Sequence, residues 1–339
     1  MYVVLRKTGD VTEHTSYAGC IGDFLKCLRN WLLFLIVIFI WGIGWVVLKI
    51  GLSYVDPLNL TLHRFVIAAL ALTPLLIPLR RRIPKDWKSS IGLFLLGVLF
   101  ASGVAMTLVG LTHEKSGISA VVTYTQPLFV FCMAVPLLKE KAKASRFAGI
   151  VIGFIGVVIL SLKDIGNIDS FTYPLFFLIA GAFLWAVSII YYKKFLSHID
   201  PLVTNIFQLS WGAIILVPLS VPFGNFYFPI SVTYLLIIMF ASLAMFCAAG
   251  TIWLFLLREE EATVLSFSSL IIPIIALFFG LLLLGENIEL TSLIGASLIL
   301  GGLYLVNKKS NNFLHRTDRW EKLTDGSSKV IVKKASYTR

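Results

Sequence analysis

Charged residues are scarce in this chain of 339 residues. Asp, Glu, Lys and Arg together make up 14% of the sequence, whereas about 25% is usual in a soluble domain. The hydrophobic fraction is 58%. Long apolar runs contain no Asp or Glu, and each approaches the roughly 20 residues that a helix needs to cross a bilayer. This composition excludes a soluble globular protein.

Cysteine is also rare, and its positions follow no pattern. Cys20, Cys27, Cys132 and Cys247 lack the spacing of a metal or redox site, so we expect no metal and no cofactor. The apolar runs contain no nucleophile–base pair and no acidic pair, which argues against a membrane enzyme. They also contain no charged ring or carbonyl filter, which argues against a channel. An integral membrane enzyme of unknown chemistry and a channel are the alternatives to a carrier.

Ten apolar runs are predicted to cross the membrane. They must be α-helices, because an isolated strand leaves its backbone hydrogen bonds unsatisfied in lipid, and they lack the alternation of barrel strands. The predicted fold class is therefore all-α and integral to the membrane. We number the runs span 1 to span 10, near residues 31–52, 57–79, 90–111, 116–138, 145–162, 171–192, 201–222, 231–256, 262–284 and 291–306.

The two halves of the chain repeat one pattern. A shift of 144 residues in the early spans and 146 in the later ones superimposes like residues on each other. The pairs are Trp41 with Trp185, Lys49 with Lys193, Asp56 with Asp200, Pro127 with Pro273, and Glu140 with Glu286. The predicted domains are an N-terminal extension (1–30), two five-span repeats (31–162 and 171–306) and a basic tail (307–339).

Lys and Arg are distributed unevenly between the two faces of the membrane. If both termini are cytoplasmic, 25 of the 29 Lys and Arg residues lie inside and three lie outside, a strong positive-inside bias. Because each repeat has five spans, the second repeat enters from the opposite side, and the repeats are inverted as in many secondary transporters. We expect a multi-pass protein of the plasma membrane.

The expected partners follow from the same charge distribution. The basic tail, 307–339, suits anionic lipid at the cytoplasmic surface rather than nucleic acid. We therefore expect a lipid bilayer and a small-molecule substrate as partners, and no nucleic acid. The sequence leaves a homo-oligomer open.

Polar residues within spans 4 and 9 are candidate substrate contacts, because polar groups are costly inside a membrane. Each set ends at a mid-span proline, Pro127 or Pro273, which leaves the carbonyl four residues earlier without a helical donor. Since the two spans run in opposite directions, their polar halves open toward opposite faces and predict a midplane site with alternating access. The alternative is that the hydroxyls bond back to their own helices and the prolines are ordinary kinks. The candidates are Thr123, Tyr124, Gln126, Ser266 and Ser269.

Arg64 is the one charged residue well inside a span. It lies about 10 Å deep in span 2 at roughly 1.5 Å per residue. Its side chain either snorkels to the outer interface or faces the bundle, where it binds backbone carbonyls or an anionic substrate group. Trp41, Trp185 and Trp253 either stack on a substrate or fill the bundle.

Glu140 and Glu286 end spans 4 and 9 at opposite faces of the membrane. We interpret them as anchors at helix ends, because the first turn of a helix attracts carboxylates. Neither lies at mid-span, and a proton relay through a buried carboxylate is therefore disfavoured.

Several short motifs occur in register along the spans. They are Trp41-Gly42 with Lys49, Arg64-Phe65, Pro127 and Pro273 at mid-span, and a Glu-x8-Gly pattern after spans 4 and 9. At these residues the chain, over roughly 31–306, resembles the EamA-type members of the drug/metabolite transporter superfamily. Lys139 departs from the pattern, because the first half often has Gly before Glu.

The resemblance implies ten helices around a central cavity and the movement of small metabolites, often amino acids and usually outward. We therefore predict a secondary transporter or facilitator, working as an exporter of small polar metabolites.

Overall fold

A computed structural model describes residues 9–140, 148–149, 151–153, 155–156, 159, 168–220, 227–269, 271–286 and 290–307. This part of the chain is helical almost throughout and contains no strand. Short 3-10 turns, Thr73–Leu75 and Arg80–Arg82, and π-helical segments, Tyr192–Leu196 and Phe240–Ala249, adjoin the α-helices. The α-helices are Gly9–Gly51, Pro57–Leu72, Leu76–Leu79, Trp87–His113, Ser116–Thr123, Gln126–Leu138, Ile168–Tyr191, Pro201–Ser220, Val232–Met239, Gly250–Glu259, Ala262–Ser268, Ile271–Leu284 and Leu290–Asn307.

Eight of the predicted spans are helices long and apolar enough to cross a membrane. They are spans 1 to 4 and 6 to 9, with the bounds Leu28–Gly51, Pro57–Arg82, Trp87–His113, Ser116–Leu138, Tyr173–Leu196, Pro201–Ser220, Val232–Glu259 and Ala262–Leu284. Span 10 is the helix Leu290–Asn307, and most of span 5 lies outside the described residues. The helix of span 1 begins at Gly9, so part of the predicted extension 1–30 continues that helix.

Equivalent aspartates begin spans 2 and 7. The Asp56 carboxylate accepts hydrogen bonds from Leu58 N and Asn59 N at 3.0 Å. The Asp200 carboxylate accepts one from Leu202 N at 2.9 Å. The proline after each aspartate suits the first helical position, because its missing N–H would have no partner there. Spans 2 and 7 therefore begin with the same capped Asp-Pro start.

Two repeat-related lysines hold the ends of spans 3 and 8. Lys49 Nζ donates to the carbonyl oxygens of Leu111, Thr112 and Glu114 at 2.8, 3.0 and 2.6 Å. Lys193 Nζ donates to those of Leu257, Arg258 and Glu260 at 2.5, 3.4 and 2.8 Å. The last carbonyls of a helix lack partners within it, and a cation there also complements the helix dipole. A lysine at the equivalent position of each repeat therefore caps the C-terminal end of the equivalent helix.

Spans 3 and 6 belong to different halves of the chain, and they pack closely against each other at glycine residues. A Cβ atom on Gly181 would overlap Thr107 Oγ1 and lie 2.9 Å from the Gly103 carbonyl oxygen. A Cβ atom on Gly103 would lie 3.3 Å from the Gly181 carbonyl oxygen. Small residues allow membrane helices to pack backbone against backbone. This close approach places Trp185, on the next turn of span 6, at the centre of the bundle.

Span 8 contains a π-helical segment, Phe240–Ala249, which the sequence did not predict. π-Helical segments are rare in proteins, and many of those that occur lie at functional sites. Carbonyl groups of this segment bind side chains from other spans. Trp41 Nε1 donates to Met245 O at 3.2 Å, and Asn205 Nδ2 donates to Phe246 O at 2.9 Å. Spans 1 and 7 are thereby fastened to the irregular part of span 8.

Candidate functional site

A cavity, the central cavity, lies where the two halves meet. Its volume is about 90 Å³, and most of its walls are aromatic or aliphatic. Pockets that hold small molecules are usually about 300–1,000 Å³, so a metabolite fits only after the surrounding helices move apart. The polar side chains on its walls belong to Arg64, Thr107, Tyr124 and Asn205, together with the indoles of Trp41, Trp45 and Trp185.

The repeat-related residues Trp41 and Trp185 meet in the middle of the bundle. Their ring centroids lie 5.6 Å apart, and the ring planes make an angle of 73°. This is an edge-to-face arrangement, which aromatic pairs prefer. Trp253 lies 5.2 Å from Trp41, and Tyr124 lies 6.0 Å from Trp185, between ring centroids. Four of the residues predicted to contact substrate thus form one aromatic cluster.

A second, smaller cavity lies beyond this cluster. Its volume is about 30 Å³, and Trp41 and Trp185 line it as well. The central cavity reaches Leu48, near the end of span 1, whereas the second cavity reaches Tyr192 and Leu257, near the ends of spans 6 and 8. Since these helix ends are at opposite faces of the bundle, Trp41 and Trp185 border both a space that reaches toward one face and a space that reaches toward the other.

Arg64 is buried on the wall of the central cavity. It is 2% exposed, and its guanidinium carbon lies 4.1 Å from the centroid of the Phe246 ring, a cation–π contact. Among the described residues, its Nε and Nη1 atoms have no hydrogen-bond partner. The side chain does not snorkel to an interface, and these two atoms do not bind carbonyls. The guanidinium therefore keeps free donors beside the central cavity.

Asn205 and Gln208 form a hydrogen-bonded pair in span 7. Gln208 Nε2 donates to Asn205 Oδ1 at 3.3 Å, and Asn205 Nδ2 donates to Thr251 Oγ1 at 2.9 Å. Asn205 lines the central cavity, and Gln208, the repeat partner of Arg64, lines the second cavity. Sequence reasoning missed Asn205. The signal available was a second amide within span 7, one helical turn before Gln208.

Spans 4 and 9 are both interrupted near their middle. Span 4 stops being helical between Thr123 and Gln126, and span 9 between Ser268 and Ile271. Each proline stands in the first turn of the helix that follows the interruption, Pro127 as its second residue and Pro273 as its third. In span 4, Thr125 N donates to Val122 O at 3.0 Å, a tighter turn than the α-helix makes.

The loss of the helical donor at Pro273 does not leave the Ser269 carbonyl unpaired. We expected the Ser269 carbonyl to lose its helical partner, because Pro273 has no N–H. Instead Ser269 O accepts a hydrogen bond from Ile272 N at 3.0 Å. The tighter turn thus supplies a donor one residue earlier than the α-helix would.

The polar residues of spans 4 and 9 are buried. Thr123, Gln126, Ser266 and Ser269 are each at most 2% exposed, and these four residues line neither of the two cavities. Ser269 Oγ donates back to Ser266 O at 2.7 Å, as the alternative interpretation of the hydroxyls predicts. Thr123 Oγ1, Gln126 Nε2 and Ser266 Oγ have no hydrogen-bond partner in the part of the chain that is described. Tyr124 alone among the span 4 candidates reaches the central cavity.

The residue before each terminal glutamate is in the left-handed conformation. Lys139 has φ 57° and Gly285 has φ 61°, and Glu140 N and Glu286 N donate to carbonyls six residues earlier at 3.3 and 3.2 Å. A left-handed residue just after the end of a helix is usually glycine. Spans 4 and 9 therefore end in the same turn, although one of them has lysine at the glycine position.

These turns aim each glutamate at the start of the other broken span. Glu286 accepts hydrogen bonds from Ser116 N and Ser116 Oγ at 2.6 and 2.9 Å. Glu140 accepts one from Ala262 N at 3.2 Å and one from Thr263 Oγ1. A carboxylate at a helix start satisfies unpaired N–H groups and is favoured by the helix dipole. The predicted role of both glutamates as anchors at helix ends is confirmed.

The chain matches known proteins along most of its length. The model of the EamA-like transporter family matches residues 29–162 and 172–308, one match in each half. An "Uncharacterized transporter YoaV" from Bacillus subtilis (strain 168) is 28% identical over 278 residues, which cover 79% of this chain and 93% of the relative. A "Probable amino-acid metabolite efflux pump" from Escherichia coli (strain K12) is 26% identical over 288 residues, 82% of this chain and 94% of the relative.

A solved structure, "Crystal structure of protein", has the same fold. It aligns with a TM-score of 0.63 at 17% identity and covers 83% of this chain and 98% of its own. The names of the family and of the relatives indicate a transporter rather than an enzyme. The chain belongs to the EamA-like transporter family, and it is a multi-pass membrane protein with ten helices in two inverted five-helix repeats.

Proposed function

We propose that the protein is a secondary carrier that exports small polar metabolites across the plasma membrane by alternating access. The observation that carries this proposal is the pair of small cavities on either side of Trp41 and Trp185. A channel needs a continuous path, whereas a carrier passes through a state that is closed to both sides. The closed aromatic cluster between the cavities fits a carrier.

Contacts between the two halves support a closed state at both faces. At one face, Arg82 after span 2 forms an ion pair with Asp200 at the start of span 7, with 2.7 Å between Nη1 and Oδ2. At the other face, His63 Nδ1 and Tyr234 OH are hydrogen-bonded at 2.7 Å. Transport in this scheme requires the two sets of contacts to open in turn. Both termini are cytoplasmic in this proposal, as the distribution of Lys and Arg predicts.

The residues around the central cavity and the names of the relatives both support small polar metabolites as the substrate class. Arg64, Asn205 and the aromatic cluster are the proposed contacts in the central cavity. Thr123, Gln126, Ser266 and Ser269 join them when the helices move apart. The relatives named as probable amino-acid metabolite efflux pumps support export of small metabolites.

Counterflow in proteoliposomes tests this function. Vesicles containing the purified protein are loaded with an unlabelled metabolite mixture and diluted into a trace of each labelled compound. A carrier gives a transient accumulation of label that exceeds equilibrium, whereas a channel gives equilibration without overshoot. Mass spectrometry of the vesicle contents detects any chemical conversion. Overshoot for at least one metabolite supports the proposal, and equilibration without overshoot or a new product overturns it.

A further inference from the structure

We propose that the central cavity selects organic carboxylates that have an apolar, preferably aromatic, body and no ammonium group. This inference rests on the proposed function only in taking the central cavity as the substrate site. It narrows the metabolite class, because it excludes zwitterionic amino acids as the preferred ligands.

Arg64 places a fixed positive charge beside the central cavity. Arg64 is 2% exposed, and its Nε and Nη1 atoms have no hydrogen-bond partner among the described residues. Buried polar groups in native proteins are almost always paired, and a buried charge without a partner is costly. The guanidinium fork matches a carboxylate with two parallel hydrogen bonds. An anionic ligand is therefore the missing partner of Arg64.

The described walls of the two cavities provide no counter-charge for an ammonium group. Within the described part of the chain, no residue that lines the central cavity or the second cavity is acidic. The ten predicted spans also contain no Asp or Glu anywhere in their sequence. The ammonium group of an α-amino acid sits on the carbon next to the carboxylate, so it would lie beside the Arg64 guanidinium. Like charges at such short range repel strongly in a medium of low dielectric constant.

Aromatic rings are another means of holding an ammonium group. A cation binds the face of an aromatic ring, but the Phe246 face is already occupied by the Arg64 guanidinium at 4.1 Å. Trp41 and Trp185 pack edge to face against each other. The same rings provide an apolar surface on which a phenyl or indole group stacks. The central cavity thus offers one anion contact, at Arg64, and apolar walls, with no acidic side chain among its described lining residues.

Three ligands that share one skeleton test this selectivity. They are 3-phenylpropanoate, L-phenylalanine and 2-phenylethylamine, which carry a carboxylate, both charged groups, or an ammonium alone. Binding to the purified full-length protein is followed by quenching of tryptophan fluorescence and by the shift in unfolding temperature. We expect 3-phenylpropanoate to bind at least about tenfold more tightly than L-phenylalanine, and 2-phenylethylamine to bind least. Equal or tighter binding of L-phenylalanine overturns the inference.

Variants assign the selectivity to Arg64. Arg64→Gln copies the repeat partner Gln208 and should abolish the preference for 3-phenylpropanoate. Arg64→Lys keeps the positive charge but loses the two parallel donors of the guanidinium, and it should retain part of the preference for 3-phenylpropanoate. If Arg64→Gln does not fold, Arg64→Lys provides the test. Arg81→Gln removes an exposed arginine and should change nothing. A preference for the carboxylate that survives in Arg64→Gln contradicts the inference.

The two proposals fail in different ways. Binding of 3-phenylpropanoate without any counterflow supports the selectivity and counts against the carrier. Counterflow of L-phenylalanine that is unchanged in Arg64→Gln supports the carrier and overturns the selectivity.

Discussion

The Glu286 carboxylate accepts hydrogen bonds from the backbone N–H and the hydroxyl of Ser116, and it joins the end of span 9 to the start of span 4. Gly280 leaves room for this arrangement, because a Cβ atom there would lie 2.5 Å from Glu286 Oε2. Glu140 makes the equivalent contacts with the start of span 9. The two broken spans are therefore fastened to each other at both faces of the bundle.

Replacing either carboxylate by its amide should destabilise the protein. Glu286→Gln keeps the shape of the side chain but loses the charge that favours a helix start. We expect a loss of about 0.5–2 kcal/mol, the usual range for a helix cap. Thermal unfolding of the purified protein in detergent measures the change. Glu261→Gln is the control, because Glu261 is exposed, and equal unfolding temperatures for the two variants would contradict the capping role.

Lys193 and its neighbour Lys194 form a natural comparison. Lys193 Nζ binds three carbonyl oxygens at the end of span 8, whereas Lys194 is exposed. Lys193→Met leaves those carbonyls without their donor and should destabilise the protein by about 1–3 kcal/mol. Lys194→Met should have little effect. Chemical or thermal unfolding of both variants checks the difference, and equal stabilities would show that the carbonyls find other partners.

Lys139 is a non-glycine residue in a conformation that favours glycine. Its φ of 57° costs roughly 1–2 kcal/mol for a residue with a Cβ atom. Lys139→Gly should therefore stabilise the protein by about 1 kcal/mol, less the entropy that glycine gains in the unfolded chain. Gly285→Ala, at the equivalent position of the second half, should destabilise it by a similar amount. Opposite shifts in unfolding temperature are expected; a decrease in both variants would refute the strain at Lys139.

Much of the fold follows from the sequence, because membrane burial imposes simple rules. The ten apolar runs, the inverted repeat and the Asp-Pro turns depend on hydrophobicity, chain direction and proline chemistry, which are local properties. Trp41, Trp185 and Arg64 were recognisable because each is unusual where it stands. What the sequence did not indicate is which side chains meet across spans.

The missed features are all products of packing between helices. The π-helical segment Phe240–Ala249 and its bonds to Trp41 and Asn205 depend on how spans 1 and 7 approach span 8. The burial of Thr123 and Ser266 outside both cavities likewise depends on how the broken spans are rotated. Residue spacing defines the polar face of a helix, but not the neighbour that this face meets.

The orientation of the chain can be tested with a repeat-related pair. Ser53 follows span 1 and Ser197 follows span 6, and the inverted repeat places them at opposite faces. In a background without Cys20, Cys27, Cys132 and Cys247, we expect Ser53→Cys to react with an impermeant thiol reagent added to intact cells. Ser197→Cys should react only after the membrane is opened. The reverse pattern would place both termini outside.

Thr123 and Thr125 differ in one respect that separates packing from transport. Both are buried, at 0% and 3% exposure. Thr125 Oγ1 donates to Val122 O at 2.8 Å, whereas Thr123 Oγ1 has no partner among the described residues. Valine matches the shape of threonine without the hydroxyl group. A hydroxyl that is already bonded contributes to stability, and one that is not bonded contributes only if a conformation of the transport cycle supplies a partner.

The two valine variants should therefore have opposite effects. Thr125→Val loses a hydrogen bond and should lower the stability by about 0.5–1.5 kcal/mol while transport per folded molecule is unchanged. Thr123→Val should leave the stability unchanged or higher, because an unpaired buried hydroxyl is removed. If the Thr123 hydroxyl contacts substrate in an open conformation, the apparent affinity for transport should weaken roughly 2- to 13-fold. Unfolding temperature and counterflow kinetics, measured on the same preparations, distinguish the two patterns. Unchanged transport in Thr123→Val would assign this residue to helix packing alone.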